Sequence, residues 1–585
     1  MLATPAATAA DAGKQPVATG RGGAVASADL DASRAGIAVL RAGGNAIDAA
    51  VATASTLGVT EPFVAGPGGG GYMVIYLARS HRVITIDGRE MCPAGCSTSM
   101  FLDSSGQPLP FEQARRSGLS VGVPGMVGTW AAAVQRYGRH SFARDLQPAI
   151  ARALQGFVVD KNFNQQEQAS LADLQSFTSS RKLFLTPSGQ PLPIGTRLKN
   201  PDLARTYAEL AEFGPSYFYD GALGAEIART VQHPPVSGTS EFPIRDGLMT
   251  RQDLANYAVK FQPPTHVRYR GLDVYGMAPS SSGGITIGEA LNILSRWDLS
   301  AQPRARALFE YLEASRLAFA DRGAYIGDSA YVDVPQQGLL SKQYARTRSC
   351  LIGDTALTSP AAPGNPYSPY QGCGSSAATG TNGNEGLHTN HLVVADKWGN
   401  VVSYTNTIEQ IAGSGMTVPG RGFLLNNEMT DFDFAPAVPN DPNLPAPGKR
   451  PRSSMSPTIV LHHGRFDFAV GSPGGSTIIT TVLQILVNHI DFGMSLPQAI
   501  WAPRVSQRNT STSMAEQQFY DSPLAATLTS KYGEAFTLYT GPLDPLNTYI
   551  GDATGLEALG HGTYLAAAEQ VREGGGSALV VRASR

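Results

Sequence analysis

Charge is scarce in this chain. Of its 585 residues only 16% are Asp, Glu, Lys or Arg, and 45 basic side chains nearly cancel 47 acidic ones to leave a formal net charge of -2. That balance gives no electrostatic footprint for nucleic acid or for an anionic membrane surface. Long apolar runs are missing too. Nowhere are there the roughly 18 consecutive apolar residues that a membrane-spanning helix needs. Cysteine is rare, with four in all, and none of the spacings is the paired CxxC of a zinc site. HExxH, EF-hand loops and internal repeats are absent, and the ten histidines are scattered. His462 and His463 sit together in a His-His-Gly-Arg turn pattern, without the third and fourth ligands a metal requires. The first twenty residues, Met1 to Gly20, are Ala-rich and polar, and lack the basic start and apolar stretch of a signal peptide. What remains is 42% apolar, enough for a large core and for two to four domains.

Small residues mark the first elements. Ala32 to Leu57 carries helical periodicity in Ala35, Val39, Ala46, Ala49, Ala50 and Val51, broken at Gly43-Gly44, and predicts two closely packed helices. Gly66-Pro67-Gly68-Gly69-Gly70-Gly71 formally satisfies G-x-G-x-x-G. A dinucleotide loop should open a helix, however, and Tyr72–Tyr76 reads as a strand. The alternative is a close backbone approach, for which glycine is needed. Tyr72–Leu77 and Arg82–Ile86 predict a hairpin, and Val127–Tyr137 a helix. Residues 140–345 read as largely helical, notably Leu203–Phe213 and Leu308–Phe319, with strand-like breaks at Val267–Arg270 and Val274–Met277. Pro279–Gly284 has no adjacent His or Asp to activate its serines and is expected to cap the helix Ile285–Leu294. Asp321 and Asp328 are expected at the surface or at caps.

The richest stretch follows a polar segment, Pro363 to Glu385, whose Gly, Ser, Asn, Pro and Thr content predicts exposure and mobility. Thr389 then leads two apolar runs, Leu392–Ala395 and Val401–Tyr404, around Lys397-Trp398-Gly399-Asn400, the pattern of a β-hairpin. A mobile loop feeding into a buried strand that starts with threonine suits a self-cleaving precursor. The hydroxyl can attack the carbonyl before it. From there on strands dominate, with a helix at Ser476–His489.

Thr389-x-His391 with its hairpin, Gly422–Phe432, Arg452–Thr458 and Gly471–Ser476 together resemble the γ-glutamyltransferase (glutathione hydrolase) family, from about Gly23 to near the C-terminus. The resemblance implies an α+β fold, the four-layer αββα sandwich of N-terminal-nucleophile hydrolases. It implies a flexible segment 1–22, a large subunit 23–388 ending in a loop at about 363–388, and a small subunit 389–585. The two would form an intertwined heterodimer after the bond His388–Thr389 is cut. Cleavage gives Thr389 an α-amine with a reference pKa of about 7.7–8.0, placing nucleophile and general base on one residue.

By the same resemblance, Thr407 hydrogen-bonds the nucleophile, and Gly474 and Gly475 supply oxyanion-hole amides. Without the resemblance Thr407 is an ordinary strand residue. Arg89 is expected to clamp the α-carboxylate with a bidentate fork, assisted by Ser453 and Ser454. Its alternative is an ion pair with Glu90 or a distant acid. Glu428 and Asp431 match acids that hold the α-ammonium. Where the family usually carries asparagine this chain has Glu409, and three carboxylates repel unless one is protonated or turned away. Asp433–Lys449 is Pro-rich and looks shorter than the lid of many members.

The expected reaction is ping-pong transfer of a γ-glutamyl group, from glutathione or a related donor, to water or an amino acid. Neither metal nor organic cofactor is implied. Two rivals stay open. One is a same-fold acylase acting on a cephalosporin, a glutaryl amide or poly-γ-glutamate. The other is an uncleaved, inactive binding protein. The family also implies export, to periplasm or medium, with the start of this chain resembling that of a mature secreted protein. In an exported protein Cys92–Cys96 and Cys350–Cys373 are the natural disulfides, the alternative being four thiols.

Overall fold

Both faces of the hairpin strands are apolar, and the reason is visible in the sheet they join. The computed structural model describes residues 13–357, 360–370, 388–541 and 549–583. In it a 13-stranded sheet runs through the molecule, antiparallel at every pairing. Its strands are β1 (Val17–Ser27), β2 (Gly70–Leu77), β3 (Arg82–Gly88), β4 (Lys260–Gln262), β5 (Thr265–Tyr269), β6 (Leu272–Gly276), β7 (Asn390–Asp396), β8 (Val401–Thr407), β9 (Thr458–His462), β10 (Arg465–Gly471), β11 (Thr554–Ala558), β12 (Thr563–Ala568) and β13 (Ser577–Ala583). The order is β4-β3-β2-β8-β7-β1-β12-β11-β10-β9-β6-β5, with β13 also on β1. β1 is the hinge of this arrangement. Its first half pairs with β12 (Val17↔Ala567) and its second with β7 (Ala26↔Val393), with a register irregularity between Arg21 and Ala24.

Successive residues of β7 point to different cores, as period-2 geometry requires. Leu392 and Val394 join a body that packs helices α1 (Leu30–Arg41), α2 (Ala46–Thr60) and α3 (Met126–Tyr137) on the sheet. Val393 and Ala395 join a second body made of strand residues alone, including Val74, Ile459, Leu556 and Ala566. A third body packs α4 (Gly283–Leu294), α5 (Arg304–Tyr325) and α6 (Thr477–Ile490) on the other half of the sheet. Each fully buried Val or Leu here stabilises by roughly 1.5–3 kcal/mol over exposure. A charge at Val393 or Val394 would therefore break the fold rather than tune it.

The glycine break between the first two helices falls as expected, and Asn45 caps α2 with a reciprocal Asp48 contact. The helices pack so closely that a Cβ on Gly36 would lie 2.4 Å from Thr53 Oγ1. Both predicted hairpins form, as do the helices at 201–213 and 477–490.

Several expectations are corrected. β1 begins at Val17, inside the segment expected to be flexible to residue 22, because its backbone pairs with β12. Asp321 and Asp328 are buried, not superficial: Asp321 pairs with Arg348 at 3.0 Å, and Asp328 with Lys260 at 3.1 Å. Ser282 does not cap α4, its hydroxyl donating instead to Ser453 O at 2.7 Å. The start of the polar segment is not exposed. Pro363 and Gly364 are buried, and the Gly364 amide donates to Asp321 Oδ1 at 2.6 Å. Residues 371–387, with Cys373, lie outside the described residues. Cys92–Cys96 is a disulfide, and no described cysteine is a free thiol.

Candidate active site

Thr389 precedes β7 directly and Thr407 closes β8, so strand register alone brings them face to face (Asn390 pairs with Asn406). The hairpin turn that fixes this register is held by Asp396 Oδ1, which accepts the Trp398 and Asn400 amides at 2.8 and 3.0 Å. The Thr389 hydroxyl lies 3.4 Å from Thr407 Oγ1. Thr407 is itself fully engaged: it donates to the His388 carbonyl at 3.0 Å and accepts the Glu409 amide at 2.8 Å. The carbonyl that a Thr389 oxygen would attack is thus already hydrogen-bonded by Thr407.

The glycine-rich stretch works as a close backbone approach. A Cβ on Gly69 would sit 2.0 Å from Thr407 O, and one on Gly68 2.1 Å from Leu424 O. Beneath the hairpin, burial pushes His391 down to about 3 and His388 to about 4, so both are neutral at working pH. His391 Nδ1 lies 2.8 Å from Thr405 Oγ1.

Across the pocket, β10 ends at Gly471 and α6 begins after Ser476. Between them Gly474 and Gly475 adopt φ of 129° and 55°, a left-handed conformation that side chains rarely take. Among the described residues neither amide has a hydrogen-bond acceptor, and the N-terminus of α6 adds a favourable dipole for a developing oxyanion.

One pocket is lined by Arg89, Thr389, Thr407, Glu409, Glu428, Asp431, Ser453, Ser454, Met455, Gly475 and Ile478. Of the expected pocket residues only Gly474 stands behind this lining. Arg89 is almost wholly buried and pairs through separate nitrogens with Glu428 and Asp431. It also donates to Pro451 O at 3.2 Å and Arg452 O at 3.0 Å. The ion-pair alternative for Arg89 is therefore met, yet with the two acids expected at the ammonium rather than with Glu90. An α-amino acid carries its own opposite charges two bonds apart. Bound here, it can exchange partners with this triad, carboxylate to Arg89 and ammonium to the acids, without leaving a buried charge alone.

Glu409 sits at φ 84°, and Asn427 Nδ2 donates to its Oε2. Burial first, then the neighbouring Asp431 carboxylate, push its pKa well up. Both effects favour the protonated form of Glu409, which relieves the repulsion expected of three carboxylates. Ser453 Oγ accepts the Met455 amide at 3.2 Å, and Ser454 Oγ accepts from Arg322 Nη2 at 3.0 Å.

Sequence reasoning missed Arg322 and Asn427, and weighed Glu90 only as an ion-pair partner of Arg89. Glu90 is buried beside Arg89, no other residue among those described donates to its carboxyl oxygens, and burial raises its pKa to about 8. A usable signal existed for Arg322. It belongs to a helix whose residues are buried on every face from Ala307 to Gly323, acids and arginines included, and such charges need internal partners.

The fold and pocket define a class first: a mixed α/β enzyme with a large antiparallel sheet and a charged pocket at the ends of two hairpin strands. The chain belongs to the γ-glutamyltranspeptidase family. The family model described as Gamma-glutamyltranspeptidase matches residues 32–579. A glutathione hydrolase proenzyme from Bacillus subtilis (strain 168) is 37% identical over 568 residues, covering 95% of this chain and 92% of the relative. An acylase ACY 1 proenzyme from Pseudomonas sp. (strain V22) is 36% identical over 499 residues, 84% of this chain and 83% of the relative. Among solved structures, a cephalosporin acylase from Bacillus halodurans superposes with a TM-score of 0.83 at 26% identity, covering 99% of each chain.

Proposed function

We propose that the chain is a self-processing γ-glutamyl hydrolase and transpeptidase. One observation carries this: a single pocket joins Thr389, behind a bond it can attack, to an Arg89–Glu428–Asp431 triad of amino-acid-binding type. In maturation Thr389 Oγ1 adds to the His388 carbonyl carbon, whose oxygen is polarised by the Thr407 hydroxyl. The C–N bond breaks as the nitrogen takes up a proton, leaving an ester. Water hydrolyses that ester to a His388 carboxylate and a Thr389 amine. The amine then serves as general base for the same hydroxyl in turnover.

In turnover Thr389 Oγ1 attacks the γ-carbonyl of a γ-glutamyl donor and its proton passes through the amine to the departing nitrogen. The Gly474 and Gly475 amides receive the oxyanion. Water or an amino acid then takes the acyl group. The names of relatives, glutathione hydrolase proenzyme above all, support this donor class. Under this reading the two halves of the sheet with their helices form a four-layer αββα sandwich, shared by a large fragment ending at His388 and a small fragment 389–585. The Cys92–Cys96 disulfide supports export, since such bonds persist in oxidising compartments.

A second reading, a same-fold acylase with another donor, is favoured by Glu409 and by the likeness to an acylase and to a cephalosporin acylase. One experiment separates them. The wild type is expected to run as two fragments on a denaturing gel, the smaller starting at Thr389, and to prefer γ-glutamyl anilides and glutathione over glutaryl amides, cephalosporin side chains and γ-linked polymer. Thr389→Ala should remain one band without turnover. A Thr389→Ala protein that matures and turns over donor at the parent rate would falsify both readings, while preference for glutaryl amides selects the second.

A further inference from the structure

The pocket that is to receive a carboxylate is electrostatically poor for one. Among the described residues its one lining cation, Arg89, is shared between two carboxylates. Behind the lining lies a second cation. Arg322, on α5 and fully buried, donates through Nη2 to Ser454 Oγ at 3.0 Å and through Nε to Ser282 Oγ at 2.8 Å. Ser282 passes the contact on, its hydroxyl donating to Ser453 O at 2.7 Å. One guanidinium therefore braces both serines of the pocket wall. Because the Ser454 oxygen already accepts from Arg322, its own proton is left to point elsewhere, and Ser454 lines the pocket.

We propose that Arg322 is a positioning residue for the carboxylate of the acyl donor. It fixes the Ser454 hydroxyl as a donor into the pocket. This rests on the γ-glutamyl reading only in assuming that the donor carries a carboxylate.

The test uses three ligands on the mature enzyme: L-glutamate, glutarate (carboxylate without ammonium) and 4-aminobutyrate (ammonium with no α-carboxylate). Calorimetry gives each Kd, and KM and kcat for a γ-glutamyl anilide are measured alongside. Arg322→Gln is expected to weaken L-glutamate and glutarate about 10- to 100-fold while changing 4-aminobutyrate by less than about twofold, the range for losing a hydrogen bond to a charged group. KM should rise more than kcat falls, and Arg322→Lys should recover part of the loss. Should Arg322→Gln fail to fold, Ser282→Ala loosens the same guanidinium and must show the same carboxylate-selective loss in smaller measure. Equal weakening of all three ligands, or of none, overturns the proposal, as does a wild type that binds no carboxylate ligand. A wild type that binds L-glutamate in this Arg322-dependent way yet turns over no γ-glutamyl anilide removes the activity reading and leaves this one standing.

Discussion

The two ends of the pocket are built on opposite principles. At the nucleophile end there is no charge: Thr389, Thr407 and the amides of Gly474 and Gly475 are placed by strand register and by backbone angles. At the other end Arg89, Glu428, Asp431 and Glu409 are held by one another, buried and charged in excess. Geometry of the first kind fails through shape, since a Cβ at Gly69 already collides with Thr407 O. Geometry of the second kind fails through protonation. Glu409 stands at the joint, its amide on Thr407 Oγ1 and its carboxyl beside Asp431.

The sharpest way to break the contrast is at the uncharged end. Thr407→Val keeps the β-branched shape but deletes the oxygen that donates to His388 O and accepts the Glu409 amide. Removing one such preorganised donor should slow self-cleavage on the order of 100-fold, read as the rate at which the single band splits on a gel. The Kd for L-glutamate should barely move. A loss of glutamate affinity as large as the loss of cleavage rate would mean that the two ends are not separable.

A smaller effect is expected at the joint. Burial and Asp431 favour the protonated form of Glu409; in that form Glu409→Gln removes no charge, and the KM for a γ-glutamyl anilide near neutral pH should change by less than about threefold. If the acid were ionised, the same variant would delete a full negative charge beside the ammonium site and raise KM by tenfold or more on the usual scale for buried ion pairs. KM measured for both proteins between pH 6 and 9 decides between these outcomes.

What the sequence disclosed follows the same division. The uncharged end was legible because it is local. Thr389 and Thr407 lie on one hairpin, legible from its two apolar runs around Gly399, while the roles of Thr407, Gly474 and Gly475 came from the resemblance. The fold was legible where periodicity is strong, as in the small-residue helices and the hairpins, though only the resemblance spoke to the layers. The charged end was half legible. Arg89, Glu428 and Asp431 came from motifs, but that they pair with each other is a long-range fact no spacing encodes. Arg322 was invisible as a site neighbour because its partner Ser454 comes from a distant stretch. Asp321 and Ser282 misled because propensity places such residues at surfaces and caps, and tertiary partners overrode it.

The finest probe concerns the carboxyl nobody uses. Glu90 is wedged where a Cβ on Gly70 would come within 2.6 Å of its Oε2, and no other residue among those described donates to either oxygen. Its pKa is raised from 4.5 to about 8, first by burial and in smaller part by Asp431, with Arg89 opposing. The sign follows from proton counting. Between pH 4.5 and 8 the folded chain holds a proton that the unfolded chain has released, so stability associated with Glu90 is complete below the lower value and is lost as pH rises to the upper. Glu90→Gln carries no such proton and is spared that loss. Its melting temperature should match the parent's near pH 4.5 and exceed it above pH 8, by an amount that grows through the window and then levels. A difference of a few kcal/mol at most is expected at the alkaline end, and it should leave Thr389-dependent cleavage at neutral pH nearly unchanged, because Glu90 does not line the pocket. A gap already present at pH 4.5 and flat thereafter would assign the effect to packing, and would remove protonation from the account of the charged end.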